Sequence, residues 1–130
     1  MSTAMSGVTQ QVLLLDLKDS PDAIAAYEAA HKRIWPEVAA HLRRHGVLDM
    51  TIHRLGTRLV MVMQTDDARF DAARMAQDQA LIPILSEWEA QMGQYQAPTP
   101  WTPEGQKWTR AACIFRLADQ PDPPDQPEQT

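Results

Sequence analysis

The sequence predicts an α+β fold: a ferredoxin-like split βαβ unit whose second copy completes a dimeric α/β barrel with the two sheets face to face. Three observations lead there. The apolar runs and breaks follow the order β, α, β, β, α, β, which is the signature of the split unit. The third strand is apolar on both sides, Leu59, Met61 and Met63 alternating with Val60 and Val62. Helices cover only one face of such an antiparallel sheet, so a second sheet from an identical chain is the simplest cover for the other. Finally, Tyr27, His31 and Trp35 recur at one-turn spacing and share a stripe on the first helix.

The elements follow in chain order. Residues 1–10 are mostly small and polar and read as a flexible N-terminus, and Gln11 to Leu17 is the first strand. Ser20 as N-cap with Pro21 at the first helical position starts a helix that runs to about Arg33 or Ile34. Pro36 disfavours helical geometry at Trp35 and predicts a kink there. A second helical stretch from Pro36 ends near His45, with Gly46 as its C-cap residue. Val47 to Arg54 and Arg58 to Gln64 form a hairpin through Leu55-Gly56-Thr57. Thr65, Asp66 and Asp67 are placed to cap a short helix through Phe70 and Met75, and another helix spans roughly Leu81 to Gln91 despite Pro83. Trp108 to Leu117 gives the fourth strand, with Cys113 as a small core residue. Residues 118–130, rich in Pro and acids, cannot bury a core and read as a disordered tail. One domain, 11–117, remains.

Composition narrows the function. A net charge of −5 without a basic run argues against nucleic acid. No apolar segment suits a signal peptide or a membrane span, so a soluble cytoplasmic protein is expected. The single cysteine excludes an intrachain disulfide, and the scattered glycines form no phosphate loop, so a nucleotide cofactor is not expected.

The candidate site residues combine proton transfer with flat apolar surface. An imidazole can accept and donate protons near neutrality, and the neighbouring Tyr27 hydroxyl both donates and accepts hydrogen bonds. Trp35 and Trp88 can offer ring faces to a small polar ligand such as a carbohydrate, although Trp88 equally suits an anchor between helix and sheet. His53 shares a strand face with Thr51 and belongs either at the barrel mouth or at an interface. His41 and His45 also stand one turn apart but have no third ligand in register, so no metal is expected. Near a helix C-terminus they favour the negative end of its dipole.

The run Tyr27…His31…Ile34-Trp35-Pro36-Glu37 strongly resembles the L-rhamnose mutarotase family. The likeness continues through Thr51-Ile52-His53-Arg54, Leu59 to Met63, Glu87-Trp88-Glu89, Pro100-Trp101 and Ile114 to Leu117, covering about residues 10 to 117. It implies a ferredoxin-like homodimer that interconverts the α and β anomers of a 6-deoxy-L-hexose, L-rhamnose or L-fucose, without cofactor or metal. It also implies His31 as catalytic acid/base with Tyr27 as its partner and Trp88 as a substrate-facing aromatic; His53 and Trp35 stand beside them as further candidates for substrate binding. The chain departs from the family where Glu87 precedes a single Trp88, where His53 replaces a tyrosine, and where Lys32-Arg33 replace small residues. Two other classes fit the fold: a dimeric-barrel oxygenase or isomerase of small aromatic compounds, and a non-catalytic ligand-binding dimer.

Overall fold

Strand β1 (Val8–Leu17) is the central strand of an antiparallel sheet, and its register with β3 (Arg58–Asp66) runs from Val8 opposite Asp66 to Asp16 opposite Arg58. The structure, a computed structural model, describes residues 7–124. β2 (Val47–Leu55) pairs with β3 across the Gly56-Thr57 turn, completing the expected hairpin. The sheet order is β2-β3-β1-β4, with β4 (Gln96–Ala97) and β5 (Thr109–Arg110) both bonded to the outer edge of β1. That is the split βαβ topology, with its last strand interrupted by an excursion over residues 98–108.

Local chemistry sets the helices. Helix α1 (Pro21–Lys32) begins where the Ser20 hydroxyl accepts the Ala23 amide hydrogen and Pro21 occupies the first turn. The disturbance at Pro36 is a full break: Trp35 is extended and Pro36 opens a new helix, α2 (Pro36–Arg44). Gly46 then takes φ 86°, and a Cβ there would lie 3.0 Å from the Cβ of Arg69. Only glycine fits this turn without strain.

Three expectations are corrected. Thr65 and Asp66 continue β3, so the following helix α3 (Ala72–Leu81) starts later, with the Asp71 carboxylate accepting from the Arg74 amide. Pro83 sits in the first turn of α4 (Pro83–Gly93), where its missing N–H costs nothing. The fourth strand is far shorter than Trp108 to Leu117. Beyond the Ala111 amide, which donates to the Val12 carbonyl, the chain leaves the sheet edge. Ile114, Phe115 and Leu117 are exposed, and so is Cys113, which is no core residue. At the N-terminal boundary, β1 already begins at Val8; the far end of the tail, residues 125–130, lies outside the described residues, as do residues 1–6.

The register sorts the sheet into two faces. Met50, Met63, Ile52, Met61 and Leu13 lie on the helix side, packed with Val47 against Leu42, Phe70 and Met75. A second cluster joins Leu17, Tyr27, Val38, Leu59, Leu85, Trp88 and Met92. The other face carries Val12, Leu14, Val60 and Val62 in opposed pairs, all of them half-buried. Among the described residues, no helix is long and apolar enough to cross a membrane.

Candidate active site

Between the helix layer and the sheet lies a cavity of about 330 Å³. Its walls are mostly apolar: Met50, Met61, Met63, Met75 and Met92, with Leu85, Trp88 and Trp108. Into this lining project His31, His41, Gln79, Glu89 and Gln96. An apolar pocket with a few converging polar groups is the usual form of a small-molecule site.

His31 is held in a defined state by its own helix. Its Nδ1 lies 2.8 Å from the Tyr27 carbonyl oxygen. A carbonyl can only accept, so Nδ1 carries the hydrogen and Nε2 is the ring nitrogen left for chemistry. The imidazole stacks on the Tyr27 ring at 4.3 Å between centroids and meets the Trp88 ring edge-on at 5.6 Å. Trp35 in turn packs edge-on against Trp88 at 5.1 Å. The aromatic stripe read from the sequence is therefore one assembly, fixed between α1 and α4.

Its members hold different positions. His31 and Trp88 line the cavity, whereas Tyr27 is buried behind it and Trp35 buttresses Trp88. The Tyr27 hydroxyl accepts from the Gln96 side-chain amide at 3.4 Å, and Gln96 itself faces the cavity. Burial raises the Tyr27 phenol above its ordinary range; the bond from Gln96 opposes this and nearby Glu89 adds to it, so the phenol stays protonated. His53 stands on the other side of the sheet, opposite Val60, exposed and bonded to the Thr51 hydroxyl at 3.1 Å.

The sequence reading gave His41 a place near the negative end of its helix and passed over Gln79, Glu89 and Gln96, which also face the cavity. His41 is buried; its Nδ1 accepts from Arg44 at 3.5 Å, while Nε2 has no partner among the described residues. Its ring meets that of His45 at 4.8 Å, and His45 is bound to Asp78 at 2.9 Å. Burial pushes the His41 imidazole below its ordinary value, and the electrostatic influence of His45 and then Arg44 pushes the same way while Asp78 opposes. The Gln96 Oε1 is a buried acceptor that also has no partner among the described residues. An unpartnered donor and an unpartnered acceptor on residues that line one cavity are the feature expected where a polar ligand supplies the missing bonds.

Comparison with known proteins converges on one family. Residues 10–117 match the family described as L-rhamnose mutarotase. An L-fucose mutarotase of Xanthomonas campestris pv. campestris is 40% identical over 108 residues, covering 82% of this chain and 86% of that protein. A UPF0734 protein of Dictyostelium discoideum is 32% identical over 109 residues, covering 79% and 85%. Among solved structures, the L-rhamnose mutarotase FA22100 of Formosa agariphila superposes with TM-score 0.60 at 16% identity, covering 84% of this chain and 98% of that one. Tetracenomycin F2 cyclase of Streptomyces glaucescens superposes with TM-score 0.52 at 20% identity over 83% and 95%. These two share the fold, and cyclase and mutarotase alike use it, so fold alone does not choose a reaction. By sequence, the chain belongs to the L-rhamnose mutarotase family.

Proposed function

We propose that this protein interconverts the α and β pyranose anomers of a 6-deoxy-L-hexose, L-fucose first and L-rhamnose second, by general acid–base catalysis at His31. The observation that carries the reading is the His31 ring itself, its Nδ1 fixed by the Tyr27 carbonyl and its second nitrogen free on a residue that lines the cavity. Opening a hemiacetal requires removing the proton of the anomeric hydroxyl and protonating the ring oxygen. Rotation about C1–C2 and reclosure on the other face complete the exchange. His31 serves the anomeric hydroxyl, and Trp88 offers an apolar surface to the sugar ring and its methyl group. Tyr27 acts from behind, holding His31 by its carbonyl and Gln96 by its hydroxyl. Proton transfers of this kind need neither cofactor nor metal. The preference for L-fucose is supported by the 40% identity to an L-fucose mutarotase.

The acting form is a homodimer in the cytoplasm, its two open sheet faces packed together. Val12, Leu14, Val60 and Val62 on that face and the exposed Ile114 and Phe115 beside it support this assembly. His53 then lies at the sheet–sheet interface, while Trp35 acts through Trp88.

Saturation-transfer NMR on the anomeric protons of L-fucose and L-rhamnose tests the reaction directly. The wild-type protein should accelerate exchange, and His31→Asn should lower the catalysed rate by about 10²- to 10⁴-fold with the fold intact. A wild-type protein that leaves both exchange rates at the solvent value sinks the reading.

A further inference from the structure

Glu89 is out of place by ordinary packing rules. Helix α4 buries the stripe Leu85, Trp88 and Met92, and Glu89 sits on the same stripe, one residue beyond Trp88. A carboxylate that merely solvates a helix belongs on the opposite face, where Glu87 is found, exposed. Glu89 instead is partly buried and lines the cavity that His31 lines. The mutarotase reaction needs two proton-transfer positions, and His31 supplies one.

We propose that Glu89 is the second proton-transfer residue of the cavity, serving the sugar's ring oxygen while His31 serves the anomeric hydroxyl. This rests on the mutarotase reading above and names the group that completes it. In the opening step, His31 Nε2 takes the hydroxyl proton from O1. The O1 electron pair forms the C1=O1 bond as the C1–O5 bond breaks. The pair of the broken bond goes to O5, which takes the proton of the Glu89 carboxyl. The products are the open aldehyde, an imidazolium and a carboxylate. After rotation about C1–C2, Glu89 takes the O5 proton as O5 bonds to the other face of C1, and O1 recovers its proton from His31. Both residues return to their starting states.

The surroundings suit this role. The groups near Glu89 are Gln79 from α3, Lys107 from the 98–108 segment and Tyr27 from α1, with His31 from α1 and His41 from α2 lining the same cavity. Burial pushes the carboxyl above the usual carboxylate range, with Lys107 and then Gln79 opposing. A carboxylic acid kept protonated further toward neutral pH is what a proton donor to a ring oxygen requires.

The test is the pH profile of L-fucose anomer exchange by wild type, Glu89→Gln and Lys107→Met. Wild type should show two ionisations in kcat/KM. Glu89→Gln should lose one of them, with kcat lower by about 10²-fold and KM little changed. A group that only shapes the cavity would change KM and leave both ionisations. A Glu89→Gln protein that keeps both and a near-wild-type kcat overturns the proposal while leaving His31 and the mutarotase reading in place. If wild type itself exchanges neither deoxyhexose, the reading fails and the proposal with it. Should Glu89→Gln not fold, Lys107→Met decides. Removing that cation raises the Glu89 carboxyl further and moves its limb to higher pH, and an unmoved profile overturns the assignment.

Discussion

Strand β3 presents two different molecules on its two sides. Toward the helices, Leu59, Met61 and Met63 are almost fully buried and help enclose polar groups inside apolar walls. Toward the open side, Val60 and Val62 face Leu14 and Val12 across β1, with His53 and Thr51 across β2. The open side is rimmed by the paired Arg58 and Asp16, 2.8 and 3.1 Å apart, with the Arg58 guanidinium 5.3 Å from the centre of the Trp101 ring. One side has polar groups with nowhere else to go, which is the condition for chemistry. The other has apolar groups left half-buried, which is the condition for association. Neighbouring residues of one strand should therefore fail in opposite ways.

Val60→Lys gives the largest expected effect. In a single chain the new ammonium reaches solvent, so folding stability should change by only about 0.5 kcal/mol. In the proposed dimer it would be buried twice, at several kcal/mol per ion. Sedimentation should show the mass falling from dimer to monomer at micromolar protein, with the melting of the chain still cooperative. A Val60→Lys protein that stays dimeric breaks the assignment of this face. Leu59→Ala, one residue away and 2% exposed, should do the reverse. Its cavity should cost about 2–5 kcal/mol of chain stability, read from urea midpoints, while the mass of the folded protein stays unchanged.

How far the sequence carried depended on whether a residue's partners are local. The Ser20-Pro21 start, the break at Pro36, the turn at Gly56 and the stop at Gly46 all follow from the conformational limits of one or two residues, and each stands where it was expected. His31 could be singled out because its spacing to Tyr27 and Trp35 is itself local. The end of the fourth strand could not be read, since an apolar run looks the same whether its cover is its own sheet or another chain. Cys113 was read as a core residue for that reason, and it is exposed. Glu89 and His41 were legible in principle. Each is a polar residue on the buried stripe of an amphipathic helix, Leu85-Trp88-Met92 for one and Val38-Leu42-His45 for the other. Gln96 had no such mark, because only the pairing of β4 with β1 brings it beneath Tyr27.

The smallest expected effect concerns His41, a buried polar group on the helix side of the sheet. Its folded-state pKa lies below the unfolded value, first because of burial, then because of His45 and Arg44. In the window between those two pKa values the unfolded chain binds the proton and the folded chain does not, so stability falls as pH drops below about 6.5. Above that window both states are neutral and His41 contributes no slope. His41→Leu removes this proton uptake, so its stability relative to wild type should improve on going from neutral to mildly acidic pH, as read from urea midpoints at the two conditions. A His41→Leu protein whose stability relative to wild type is the same at both conditions would mean that burial on the helix side does not hold His41 neutral.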